Sequence, residues 1–202
     1  ETWDSPRYAK GLIDDVQIYD RPLTEGEVAS LMNAAPPEPP EGPSGQVVIL
    51  SSADIGPYAG SVASSFEAAG KTVVYKTPSE WAAMTTADFA SYDAIALPDP
   101  NCTFNTGPIA AAIANASVWG AAVDGNIRIF GADEQFNHRA VAPNPEGQPF
   151  SDSMAPFVVA DVGKTGAFVS LSCYYHGKGT GTAIPVLDAF SVGGVTVVHP
   201  PG

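Results

Sequence analysis

Cys102 and Cys173 are the only two cysteines in this chain of 202 residues, and such a pair has more than one chemistry open to it. Joined, they close a loop between positions 71 apart, a crosslink that contributes on the order of 4 kcal/mol by restricting the unfolded chain. An even pair in a secreted chain points to that disulfide. Kept apart, they are either buried free thiols or a nucleophile. Cys173 stands three residues before His176, within reach of an imidazole that could take its proton, but no third group in the sequence orients the two. Asp99, Asp133, Glu134 and His138 make a second set. Carboxylates beside an imidazole can do acid–base work, and their oxygens suit a hard divalent ion such as Ca²⁺. The same residues serve equally as caps and turn formers, which is the expectation; no metal is assigned and no cofactor is expected. Tyr174 and Tyr175 offer ring faces on which a sugar could stack, and His176 beside them reads as a half-buried hydrogen-bonding residue. Asn101-Cys102-Thr103 and Asn115-Ala116-Ser117 match the short acceptor pattern for N-glycosylation, a pattern too common to carry weight.

Residues 46–202 supply elements that can position these groups. Val47-Val48-Ile49-Leu50 is an uninterrupted apolar run, as in a strand buried on both faces. A helix is expected over Tyr58 to Ala69, ended by Gly70. Thr72–Tyr75, Asp93–Leu97, Asn126–Phe130 and Ala167–Leu171 read as four further strands, and Val195–Val198 as a short edge strand. Helical stretches are expected around Trp81, from Pro108 to Trp119, and near Ser153 to Ala160. Alternation of strand and helix over such a length predicts an α/β domain with a mainly parallel sheet covered on both faces. Ligands of such sheets bind beyond the carboxyl ends of the strands. That places Asp99, Cys102, Asp133, Glu134, Cys173 and the Tyr174–His176 run together. Neither G-x-G-x-x-G nor G-x-x-x-x-G-K-[ST] follows the first strand, so a dinucleotide or P-loop site is not expected.

Ala87-Asp88-Phe89-Ala90-Ser91-Tyr92-Asp93-Ala94-Ile95-Ala96-Leu97-Pro98 resembles the approach to the third strand of class I glutamine-amidotransferase-like domains. The resemblance runs loosely over residues 46–202 and implies a doubly wound sheet of the flavodoxin or amidotransferase type. It also implies a nucleophile elbow, G-x-C-x-G, after the next strand, where small residues permit a strained turn. This chain carries Gly131-Ala132-Asp133-Glu134-Gln135 there, so Asp133 occupies the cysteine position and Gln135 that of the last glycine. Asp99-Pro100 replaces the family's glycine pair, and Val198-His199-Pro200-Pro201 matches only half of its histidine motif. The resemblance therefore implies the scaffold without its catalytic apparatus.

Ahead of this domain, Pro36, Pro37, Pro39, Pro40 and Pro43 alternate with Glu38, Glu41 and Gly42. Such a stretch lacks amide donors and favours an extended polyproline spacer, so residues 34–45 read as a linker. In residues 1–33, Ile13, Val16, Ile18 and Tyr19 lie in a strand-like alternation. Thr24 and Glu27 have the spacing of a capping box at the start of a short helix. One strand and one short helix cannot bury themselves. Residues 11–28, Gly-Leu-Ile-Asp-Asp-Val-Gln-Ile-Tyr-Asp-Arg-Pro-Leu-Thr-Glu-Gly-Glu-Val, resemble the closing strand and last turn of laminin-G-like (concanavalin-A-like) jelly-roll domains. That family implies a β-sandwich that often binds glycans or calcium. The rest of the sandwich is not in the sequence, so the segment reads as a piece of such a domain or as a strand that completes the sheet of another subunit.

Charge excludes some partners. The chain has 22 acidic and 9 basic residues, a net charge of -13, which disfavours nucleic acid and anionic membrane surfaces. No apolar run approaches the roughly 18 residues of a spanning helix. Nine of the acids and three of the bases lie in residues 1–45, so nearly half of the net charge sits on the segment that cannot fold alone. Taken together, the linker, the orphan strand, the vacant elbow and the cysteine pair lead to one expectation. The chain is a non-enzymatic, adhesive or fibre-forming module of a secreted or cell-surface protein, partnered by further copies or by other domains of that protein. The rival expectations are a cysteine hydrolase with a relocated nucleophile and a glycan-binding module.

Overall fold

The computed structural model describes residues 21–28, 45–51, 56–98, 109–131, 147–171, 173–191 and 193–198. The chain divides into two compact units, Glu1–Glu38 and Pro39–Gly202. In the first, residues 25–28 are helical, and the capping box forms. The Glu27 amide donates to the Thr24 hydroxyl oxygen at 3.3 Å, and the Thr24 amide donates to the Glu27 carboxylate at 2.8 Å. The Arg21 guanidinium meets the same carboxylate at 2.6 Å. With both Thr24 and Arg21 bonded to it, the exposed Glu27 carboxyl titrates at about 2, the arginine being the larger cause.

The second unit is an α/β domain. In chain order it contains β1 (Gln46–Leu50), α1 (Gly56–Ala68), β2 (Thr72–Lys76), α2 (Pro78–Ala83), α3 (Thr86–Ala90), β3 (Ala94–Leu97), α4 (Ile109–Ala114), α5 (Ala116–Gly120), β4 (Ile127–Phe130), α6 (Gly147–Val158) and β5 (Gly166–Ser170). Two 3₁₀ segments follow, Cys173–Tyr175 and Pro185–Phe190. The five strands form one parallel sheet in the order β2-β1-β3-β5-β4. The doubly wound parallel arrangement expected from the sequence is present. Relative to the flavodoxin order 2-1-3-4-5, the last two strands exchange places. The exchange agrees with composition: Ala167-Phe168-Val169 has no polar interruption and is buried throughout, as suits a central strand, whereas Ile127-Arg128-Ile129 is half exposed.

Crossovers between parallel strands are right-handed, and the strand order therefore assigns each helix to a face. Steps toward the β2 edge carry α1 and α6; steps toward the β4 edge carry α2 to α5. The core divides accordingly. Val47, Ile49, Ala94, Ala96 and Phe168 pack with Val62 and Phe66 of α1 and Ala155 and Val158 of α6. Val48, Leu50, Ile95, Leu97 and Val169 pack with Trp81, Phe89, Ala112 and Trp119, and with Val186 and Leu187 of the second 3₁₀ segment. Ser65 donates to Asp152 at 2.7 Å and ties α1 to α6.

Two helices and one strand depart from the sequence reading. The helix expected over Pro108 to Trp119 is two helices broken at Asn115, whose side chain is drawn toward Trp81. The helix expected near Ser153 begins earlier, at Gly147. Val195–Val198 does not extend the five-stranded sheet: Thr196 bridges antiparallel to Ala183, and Val197 and Thr182 bond through their main chains at 2.8 Å. Elsewhere, capping is as local chemistry dictates. Thr77 with Glu80 and Thr85 with Asp88 form complete capping boxes at the starts of α2 and α3. Gly70, at φ +79, turns the chain out of α1 in a conformation other residues rarely adopt.

Candidate functional site at the carboxyl end of the sheet

At the carboxyl ends of the strands the described chain comprises Ser51, Pro98, Gly131, Leu171 and the 3₁₀ turn Cys173–Tyr175. The Ser51 amide donates to the Lys76 carbonyl at 3.0 Å, and the Leu171 amide to the Phe130 carbonyl at 2.8 Å, so pairing continues one residue past the strands. Asp99, Cys102, Asp133, Glu134 and His138 lie outside the described residues, as do Ile13, Val16, Ile18 and Tyr19 in the first unit.

Cys173, Tyr174, Tyr175 and His176 are the sequence-derived candidates that the structure describes, and it places them on one tight turn. The His176 amide donates to the Cys173 carbonyl at 3.1 Å and the Lys178 amide to the Tyr175 carbonyl at 3.2 Å. Gly177, at φ +78, completes the reversal. Tyr175 packs against the core layer below α4 and α5. Tyr174 meets Tyr175 edge to face, with ring centroids 5.2 Å apart and planes at 87°. The Lys178 ammonium lies 4.1 Å from the Tyr174 ring centroid. That face of the ring is already used, and a sugar stacking there has to displace a cation held by about 0.5–1 kcal/mol. Sequence reasoning did not pick out Lys178; its place four residues after Tyr174, across a Gly turn, is the signal that was available.

His176 is exposed and Cys173 half-buried. Among the described residues no cysteine is free. Among the described residues no three His, Cys, Asp or Glu side chains gather as a metal site. No described helix is long and apolar enough to cross a membrane.

The opposite end of the sheet is built for cohesion. Asp93, just before β3, accepts from the Gly45 amide at 2.8 Å and from the Lys71 ammonium at 2.6 Å. It thereby joins the starts of β1, β2 and β3. The Thr165 hydroxyl donates to the Tyr92 carbonyl at 2.7 Å, and the Thr165 amide to Asp124 at 2.8 Å, which fixes the start of β5. A cavity of about 110 Å³ lies at this end, beside Lys71, Asp93 and Lys164. Lys71 and Asp93 neutralise each other there, so neither is left to recognise a charged ligand. Asn115, in the second glycosylation pattern, is likewise committed to the fold through both atoms of its amide.

Comparison with protein-family models, with curated proteins and with solved structures gave no match.

Proposed function

We propose that this chain is a non-enzymatic structural or adhesive module of a secreted or cell-surface protein, and that it assembles with further copies by strand addition from residues 11–20. The observation that supports the reading is that no cysteine is free among the described residues. Cys102 and Cys173 are the only cysteines in the sequence, and a Cys102–Cys173 disulfide fits an oxidising, extracellular setting. A cysteine hydrolase, by contrast, needs a reduced, low-pKa thiol beside a base. Asp133 points the same way, because it stands in the sequence where the resembled family has its cysteine and so supplies no thiol there. Strand addition is supported by the alternating apolar segment Ile13 to Tyr19, which reads as a strand. An extended segment satisfies its amides by pairing with another sheet's edge.

The test is thiol labelling of the chain produced in an oxidising compartment. Denatured without reductant, neither Cys102 nor Cys173 reacts with a maleimide, and after reduction both do. Rapid labelling of Cys173 alone in the native chain overturns the reading in favour of a thiol enzyme.

A further inference from the structure

The two edges of the sheet are finished differently. On β2, Thr72 and Tyr75 reach solvent, Lys76 ends the strand and Lys71 precedes it. Lysine on an edge is a common device against unwanted pairing. β4 carries no lysine. Ile127 and Ile129 are 42% and 39% exposed there. Two of the seven large apolar side chains exposed among the described residues therefore lie on this one edge strand. Ile127 and Ile129 are in register with Ala167 and Val169 of β5, so they extend the core layer that runs beneath α2 to α5. A trough beside Ile127 is lined by Val123, Ala189 and Phe190, with Asp188 and Ser191 also on its wall. Single exposed apolar residues are ordinary, whereas a contiguous group on an edge strand marks a pairing surface.

We propose that β4 is the acceptor edge, and that its occupant is residues 11–20 of a second copy of this chain. The proposal rests on the strand-addition reading above and adds the surface on which it occurs. Length and pattern match: Ile127–Phe130 is four residues, and so is Val16–Tyr19, in which Val16 and Ile18 share one face. Their side chains can cover Ile127 and Ile129 when the two strands pair, because directly opposed residues on one face are neighbours. Charge is compatible, since residues 11–20 contain Asp14, Asp15 and Asp20 and no basic residue, while β4 contains Arg128 and no acid. Lys76 at the end of β2 attracts the same segment, so charge by itself does not choose the edge. Apolar burial does, because exposed ion pairs contribute little and water exclusion grows with the apolar area covered.

Two measurements on the full chain test this. In sedimentation velocity, the chain assembles with rising concentration. The double variant I127K/I129K shifts the midpoint at least tenfold to higher concentration, and T72K/Y75K on the other edge leaves it unchanged, with circular dichroism reporting the fold of each. Retained assembly in I127K/I129K, alongside its loss in V16D/I18D, overturns β4 as the acceptor and leaves strand addition standing. A natural chain that never assembles overturns both. The second measurement does not depend on how the lysine variants fold. Chains carrying Ile18→Cys are mixed with chains carrying Ile129→Cys and oxidised. A crosslinked heterodimer is expected in excess over the mixture with Tyr75→Cys, and equal yields from the two mixtures overturn the proposal.

Discussion

Trp81 and Asn115 are bonded to each other twice. The indole N–H of Trp81 donates to Asn115 Oδ1 at 3.0 Å, and Asn115 Nδ2 returns a bond to the Trp81 carbonyl at 3.0 Å. Trp81 is fully buried, so α2 and the α4–α5 break are held by one side chain that satisfies a buried donor. Asn115→Ala leaves that indole without its acceptor, while the carbonyl keeps only the Met84 amide as donor. The expected loss of unfolding free energy is about 2 kcal/mol, read from urea melts with an unchanged slope. A loss below a few tenths contradicts the pairing.

Lys71 and Asp93 meet at 2.6 Å, with side chains 22% and 18% exposed. Asp93 also holds the Gly45 amide. Asp93→Ala removes both bonds and leaves Lys71 partly buried without its counter-charge. We expect a loss of about 1–3 kcal/mol. Lys71→Met, which keeps the stem and removes the charge, costs less, because the Gly45 bond survives. Thermal melts of the two variants in parallel check the order.

The capping carboxylates make stability depend on acid. Glu80 and Asp88 titrate below their ordinary values of 4.5 and 3.8, each because the backbone amide and then the hydroxyl of its threonine cap bond to the ionised form. A lowered folded-state value means that the contribution is complete above the unfolded value. It is lost as pH falls below that value and through the folded one. Stability should therefore decline from about pH 4.5 downward, and Glu80→Gln with Asp88→Asn should flatten that decline. Carboxyl chemical-shift titrations locate the two groups directly; ordinary values for both contradict the capping account.

Gly166 opens β5 where α6 ends. A methyl group there meets the carbonyl of Val158, and the Asn126 carbonyl lies 2.9 Å away. Main-chain atoms cannot swing aside as a flexible side chain can. Gly166→Ala is expected to cost about 1–3 kcal/mol through overpacking, measured by chemical denaturation. Gly131→Ala, with nothing within 4 Å, should be nearly neutral and serves as its control.

Much of the fold was legible in the chain because its signals are local. Apolar runs at Val47–Leu50 and Ala167–Val169 announce buried strands, and Thr followed three residues later by Glu or Asp announces a helix start at Thr77 and Thr85. The break at Asn115 was not legible, because its cause is Trp81, far away in sequence. The exchange of β4 and β5 had a signal in the polar interruption at Arg128. That signal ranks strands by burial and does not by itself fix their order. At the carboxyl end of the sheet, sequence reasoning placed Tyr174 and Tyr175 together but missed Lys178, whose approach to the ring depends on the turn at Gly177. The cohesion of Lys71, Asp93 and Gly45 was likewise hidden, since three strand starts converge only once the sheet has formed.

Residues 11–20 are proposed to act as a strand given to another copy. Sedimentation velocity of the full chain over a wide concentration range tests it most directly. The account predicts species larger than the 20.8 kDa monomer that grow with concentration and disappear in V16D/I18D. A single monomeric species throughout, or assembly that V16D/I18D leaves intact, contradicts it.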